Sequence, residues 1–214
     1  MATPRKWSNV AVAMQSALAA ADTITGITKA NPAVVTAAGH GFSDGDYVLI
    51  KAQGMHQINY RVVRVDNKTT DTFECEGVDS TAFDTFTSGT AEAITFGTSI
   101  TTATSITAGG GDFDFIDTTT IHDNVKTQIP GLANPSTFSM ENIWDVSDAG
   151  LLAMKTAYEA QAQKCFKFTF GTGGQIAVFV GYVGANLLPG GQAQGLVTTP
   201  SVITMYGQPT YYSS

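Results

Sequence analysis

Over most of this chain apolar and polar residues alternate with a period of two, the spacing of half-buried β-strands. The first such run is Trp7 to Leu18, which puts Val10, Val12 and Met14 on one face. Thr23 to Thr28 alternates again, Asn31-Pro32 marks a turn, and Ala33 to Thr36 resumes a strand. The stretch Gly39 to Asp46 is dense in turn formers and reads as a loop. Tyr47–Ala52, Tyr60–Asp66 and Thr72–Glu76 follow as strands rich in β-branched and aromatic residues, with Asn67–Thr70 as the hairpin between the last two. Residues 23–92 thus form a small all-β module.

Beyond it the strands lengthen. Ala93 to Thr107 reads as one strand, and Gly109-Gly110-Gly111 turns the chain into Asp112–Ile121, where Phe113 and Phe115 share a face. Ile129-Pro130-Gly131-Leu132-Ala133-Asn134 has the composition of an exposed loop, and Thr137–Trp144 that of the returning strand. One segment switches to helical spacing. Ser147 is placed to cap it, Asp148 suits the positive N-terminal dipole, Leu151, Met154, Tyr158 and Ala162 form its apolar face, and it runs to about Gln163. Cys165–Phe170 then alternates with three Phe inward, and Gly171–Gly174 is a hairpin turn. Gln175–Val183 is apolar on both sides: Ile176, Val178 and Val180 face one way, and Ala177, Phe179 and Val183 the other. A sheet with one wet face does not look like this. The helix covers one side, and a neighbouring subunit is the expected cover for the other. Ser201–Gly207 is the last strand.

Composition narrows the class. Charged residues are 14% of the 214, against about 25% in an average soluble domain. The net charge is −7, and there are 30 Thr and 22 Gly. So acidic a chain is a poor binder of nucleic acid by attraction, because that affinity comes from Lys and Arg displacing counterions. With 43% hydrophobic residues it can bury a core, and no apolar run reaches the ~18–20 residues of a membrane span. Arg5 and Lys6 before the uncharged run Trp7–Ala21 imitate a signal peptide, but Ser8, Asn9, Gln15 and Ser16 dilute it, and the strand reading is preferred.

Candidate chemistry is sparse. His40, His56 and His122 show no metal-ligand spacing and read as ordinary surface or loop residues. Asp112, Asp114 and Asp117 fail the calcium-loop pattern, since the sixth and twelfth positions are Asp117 and Asp123. Neither glycine cluster continues into a phosphate loop, no GxSxG elbow occurs, and Cys75 and Cys165 read as packing residues. The chain is therefore expected to be no enzyme and to need no metal or cofactor.

Four stretches resemble the major tail tube proteins of long, non-contractile-tailed bacteriophages: Lys6–Gln15; Phe115–Asp123 with Ile129–Leu132; the helix after Trp144; and Phe168-Thr169-Phe170 with Phe179–Val183 and Gly207-Gln208-Pro209. The resemblance covers 1–22 and 93–214, a discontinuous tail tube domain. Residues 23–92, through Ile27–Pro32, Gly39–Asp46 and Gly77–Thr81, are similar to the first catalytic-cysteine half-domain of ubiquitin-activating enzymes, a likeness that implies no ubiquitin chemistry.

The tail tube resemblance implies a mainly β fold, a β-sandwich or barrel with one flanking α-helix, plus the inserted β-domain. It implies hexameric rings that stack into a tube conducting the genome, located in the virion tail and assembled in the host cytoplasm. The partners implied are further copies of the chain and other tail proteins (tape measure, tail terminator, distal tail), with DNA as passing cargo only and no membrane. Joined sheet edges would bury obligate interfaces of about 2,000 Å² or more. Ile176, Val178 and Val180 are then inter-subunit contact candidates. Ile129, Pro130, Gly131 and Leu132 are either an inter-ring contact or a connector over their own core. Carboxylates in the lumen would let DNA slide, and Asp112, Asp114 and Asp117 are the lining candidates. Asp117 has the opposite parity to the other two, so all three share a face only across a bulge. Residues 23–92 hold five basic and nine acidic side chains and the remainder six and nine, so the insert carries more than half of the net charge. Its size puts it on the tube exterior. The alternative function is a secreted or surface-exposed β-sandwich that binds carbohydrate or mediates cell-surface adhesion.

Overall fold

The period-two segments fold as strands. In chain order they are β1 (Val10–Met14), β2 (Ala17–Leu18), β3 (Asp22–Ile24), β4 (Gly26–Ile27), β5 (Ala33–Thr36), β6 (Tyr47–Gln53), β7 (Arg61–Asp66), β8 (Thr72–Cys75) and β9 (Ser88–Thr95). There follow β10 (Thr98–Ile100), β11 (Ala103–Gly109), β12 (Phe113–Asp117), β13 (Gln128–Ala133) and β14 (Thr137–Ile143). The helix α1 (Ala149–Glu159) precedes β15 (Gln163–Phe170), β16 (Ile176–Gly184) and β17 (Thr198–Tyr212). This computed structural model describes residues 9–171 and 174–213. Trp7, and Thr172 and Gly173 of the expected hairpin turn, lie outside the described residues. The chain is mainly β with one α-helix among the described residues.

Seven strands form an antiparallel sheet in the order β10-β1-β15-β16-β17-β14-β11. It wraps around a single core. Two strands separate β14 from β15, yet the rings of Phe138 and Phe168 lie 5.1 Å apart, which a flat sheet does not permit. Val12, Met14, Phe166, Phe168, Phe179 and Ile203 fill the inside of the curl, and Leu151, Met154 and Ala157 of α1 close it. The buried helix positions thus follow i, i+3, i+6, and Tyr158, expected on that face, is largely exposed. The helix is also capped differently from the expectation. Asp148 stays extended and its Oδ1 accepts from Leu151 N at 2.8 Å, whereas Ser147 is held in a turn by Asp145. The helix stops at Glu159 because Gln161 adopts a positive φ of 48° and Gln163 already belongs to β15.

The second sheet runs β2-β9-β6-β7-β8-β5-β4, with β3 added on β9. The short segment from Asp22 to Ile27 pairs with β9 through β3 and with β5 through β4, so the sheet closes on itself as a small barrel. Alternation decides what goes inside. Val48, Ile50, Val63 and Val65 join Phe73 and Met55 in the barrel interior, while Leu49 and Val62 point out. His40 is not the surface residue expected. It is buried beside Phe42 and Phe73, its Nδ1 accepts from Phe42 N at 3.0 Å, and its Nε2 therefore donates to Thr72 O at 3.3 Å.

Two expectations about segmentation change. Ala93–Thr107 is not one strand: β9 belongs to the barrel sheet, and Phe96-Gly97 and Thr101-Thr102 separate it from β10 and β11 of the large sheet. The barrel sheet accordingly starts at Ala17 and ends at Thr95. The last strand, β17, is also much longer than the apolar alternation suggested, because Gly207, with φ of 77°, lies where the register shifts and the pairing continues to Tyr212.

Candidate functional site

Two surfaces carry the features singled out in the sequence. The first begins where β11 ends and β14 starts. Gly110 and Gly111 take φ of 74° and 83°, and a Cβ on Gly110 would stand 2.3 Å from Pro135 O, so only glycine makes this bend. Beyond it β12 and β13 pair as a two-stranded ribbon that no third strand joins among the described residues. Ile129–Ala133 is therefore strand and not the expected loop. Each strand of the ribbon pairs along one edge only, and Pro130, which lacks an N–H, is accommodated opposite Phe115 in such an edge strand.

Every residue of β12 is exposed, and β13 is exposed except for half-buried Gly131. Phe113, Phe115 and Pro130 share one face; Ile116 and Ile129, directly paired, share the other. Leu132, 86% exposed, stands in a bulge where Gly131 and Leu132 oppose Asp114 alone. Gly131 is required there, since a Cβ would meet Asp114 O at 2.8 Å. The ribbon tip is knitted by short polar side chains: Thr119 N donates to Asp117 Oδ1 at 2.9 Å and Thr120 N to Asp123 Oδ2 at 2.7 Å.

Asp114 and Asp117 lie on β12 and Asp112 immediately precedes it, and all three are exposed. The bulge inserts its extra residue into β13, so the parity of β12 is unbroken and Asp114 and Asp117 remain on opposite faces. Asp114 Oδ1 accepts from Asn134 Nδ2 at 3.1 Å, and Asp117 faces Lys126 Nζ at 3.4 Å. The hydrogen bonds from Thr119 hold the Asp117 carboxyl below its ordinary range, with a smaller contribution from Lys126.

The second surface is the outer face of the curled sheet. Ile176, Val178 and Val180 do lie opposite the helix side, as the two-sided pattern of β16 requires. Their cover, however, is the chain's own barrel. Leu49, Val62 and Ile94 from the barrel form a third core with Cys165, Val178, Val180 and Tyr212, and Val178 is 0% exposed. Val178 and Val180, expected at a neighbouring subunit, are thus buried within one chain and have no surface left to offer another, whereas Ile176 stays half-buried. Polar contacts fix the same seam. Arg61 Nε donates to Thr210 Oγ1 at 2.9 Å, and the Arg64 guanidinium, paired with Glu76 within the barrel, lies over the Tyr212 ring of β17. Arg64 has the outward parity of Val62, whereas Arg61, of the opposite parity, reaches Thr210 from the first position of β7, a contact readable only once the closed barrel is known.

Neither thiol is poised for chemistry. Burial pushes both Cys75 and Cys165 up to about 12, which leaves no thiolate near neutral pH. Among the described residues no helix is long and apolar enough to cross a membrane.

A groove of about 660 Å³ runs between β1 and β11, lined by Asn9–Ala13 on one side and Ala103–Ile106 on the other. It marks the place where the wrapped sheet fails to close, and β11 pairs only with β14 among the described residues. An unpaired strand edge on an otherwise wrapped sheet is a template for pairing with another chain.

No curated protein matches the chain. The family model of phage tail tube proteins (TTP) matches residues 53–214, from the last residue of β6 to the end of the chain, and so takes in β7 to β9 of the barrel, the ribbon, the helix and nearly all of the large sheet. The chain belongs to the phage tail tube protein family, and is a structural component of the virion tail.

Proposed function

We propose that this chain forms hexameric rings that stack into a tube, and that the genome passes through the tube during ejection. The observation that carries the reading is the ribbon of β12 and β13, which holds Phe113, Phe115, Ile116, Ile129 and Leu132 in the open. A monomer exposing apolar side chains on both faces of a projecting ribbon loses roughly 25 cal/mol for each Å² left wet. Further copies of the chain are the partner that family membership supplies. In this reading the ribbon, with Ile129, Pro130, Gly131 and Leu132, reaches the neighbouring ring. The free edge of β11 joins the neighbour within a ring. Residues 23–92 stand on the outside of the tube. Tape measure, tail terminator and distal tail proteins meet the tube within and at its ends, and assembly takes place in the host cytoplasm.

The lumen is acidic in this reading, Asp112, Asp114 and Asp117 lying where ring meets ring. The role is structural and not catalytic. Negative-stain microscopy of the purified chain tests the proposal, with a tail initiator complex added if the chain alone stays dispersed. Rings and tubes are expected from the unsubstituted chain and none from Leu132→Asp. Dispersed monomers at high concentration in both preparations would overturn it.

A further inference from the structure

The outer face of the wrapped sheet changes chemistry abruptly along its strands. Under the barrel it is apolar, with Val178, Val180 and Tyr212 in the third core. Farther along β16 on the same parity come Tyr182 and Gly184, and cross-strand register carries this face onward. Tyr182 pairs with Thr204 and Thr204 with Thr137; Gly184 pairs with Val202, Val202 with Ser139, and Ser139 with Thr107. One step to the side, Glu141 lies opposite Ser105. The alternate residues, Ile203, Met140, Ile106 and Phe138, point into the core, which confirms the direction of the others.

This free half of the face is therefore a hydroxyl-bearing wall. Glu141 is the one charged residue among those named, and none is a cation. Lys167 does share the outer face by parity with Cys165, but it lies under the barrel, 5.1 Å over the Tyr47 ring and 5.2 Å over that of Phe96. The border between the halves is aromatic: Tyr60 of the barrel meets Tyr206 with ring centroids 5.1 Å apart, and Tyr206 meets Tyr182 at 6.2 Å.

We infer that the Thr/Ser-rich half of this face, formed by β11, β14 and the first part of β17 with Glu141 as its charge, is the wall past which duplex DNA moves. The inference rests on the tube reading and names the surface that reading needs. Binding to DNA is driven by cations that release counterions from phosphate. A wall without cations gains nothing from the backbone, and one carboxylate per copy repels it within a screening length of about 8–10 Å. The curl of the sheet turns this half away from the half that bears the barrel. One chain can thus set its barrel outward while presenting the hydroxyl wall inward.

Cysteine accessibility in assembled tubes tests this, because the native thiols Cys75 and Cys165 are buried and silent. Ser139→Cys reports on the wall and Lys68→Cys on an exposed barrel turn. Each is treated with a small maleimide and with a maleimide carried on a globular protein too large to enter the tube. In intact tubes the protein-borne reagent should modify Lys68→Cys and leave Ser139→Cys untouched, while the small reagent reaches both. After the tubes are dissociated the large reagent should modify both. Modification of Ser139→Cys by the large reagent in intact tubes, at the rate seen for Lys68→Cys, would overturn the assignment and leave the tube reading standing. Should Ser139→Cys fail to assemble where the unsubstituted chain does, Thr107→Cys reports on the same face. A chain that assembles under no condition refutes the tube reading and this inference with it.

Discussion

The backbone N–H of Arg64 donates to the phenolic oxygen of Tyr212 at 2.6 Å, and the Arg64 guanidinium lies 4.5 Å over the same ring. One residue near the end of the chain thus clasps a strand of the barrel from two directions. Tyr212→Phe keeps the ring and its cation contact but leaves the Arg64 N–H without its acceptor. A loss of about 1–3 kcal/mol is expected for an orphaned, part-buried donor, read from urea unfolding. An unchanged midpoint would mean that water replaces the phenol.

Alkaline pH should loosen the barrel core through Cys75 and the same seam through Cys165. Both thiols titrate in the folded chain at about 12, against an ordinary 9.0, because burial penalises the thiolate. A group raised in this way favours the folded state fully below its unfolded value and loses that contribution as pH climbs through the folded one. Stability should therefore be level to about pH 9 and fall from there toward 12. Tyr212, also raised chiefly by burial, acts in the same sense. The fall should be shallower in Cys165→Ala, compared by slope and not by absolute midpoint. Equal slopes in the two proteins would remove Cys165 from the account.

Barrel and sheet should unfold as one unit. Leu49→Ala opens the third core and should cost about 2–5 kcal/mol. Deleting Thr23–Glu92 should give a chain that aggregates, since Val178 and Val180 then face water. Adding Val178→Thr and Val180→Thr to the deletion should restore solubility in part. A soluble, folded deletion protein without those changes would show that the seam is dispensable.

The ribbon should behave in the opposite way. Leu132→Ala touches nothing buried, so the dispersed chain should keep its stability within about 0.5 kcal/mol. The yield of tubes, counted by electron microscopy, should drop. A variant that is destabilised as a monomer would point to a packing role for Leu132 within its own chain.

The two cap candidates separate cleanly. Asp148→Ala removes the acceptor for Leu151 N and should cost about 1 kcal/mol. Ser147→Ala removes only an exposed bond to Asp145 and should cost less. Reversed magnitudes in urea unfolding would return the cap to Ser147.

Period-two alternation revealed most strands of the barrel and the two apolar sides of β16, because these depend on burial set by local parity. It did not reveal what covers the second side. Val178 and Val180 meet Leu49 and Val62, more than a hundred residues away, and nothing local distinguishes cover by one's own barrel from cover by a neighbour. The ribbon was misread for a related reason. Pro130 and Gly131 carry the composition of a loop, but pairing of Ile116 with Ile129 overrides it. The hydroxyl wall was invisible as well: Thr107, Ser139 and Thr204 are scattered in sequence and come together only through strand register. Asp112, Asp114 and Asp117 are neighbours in sequence, whereas Glu141 stands alone on its strand.

The barrel enters between two partners that already belong together. Val12 pairs with Ile100 and Met14 with Thr98, so β1 and β10 are the arms of one hairpin and the barrel is its enlarged turn. Ser16 N reaches Thr95 O at 2.8 Å, which keeps the two crossings side by side like a stem. For an engineer this is a docking port: another domain spliced at the stem would leave the strand order of the large sheet undisturbed. The port carries a gasket, though. A replacement must arrive with a dry underside shaped like Leu49, Val62 and Ile94, or the sheet face beneath it must first be repainted polar.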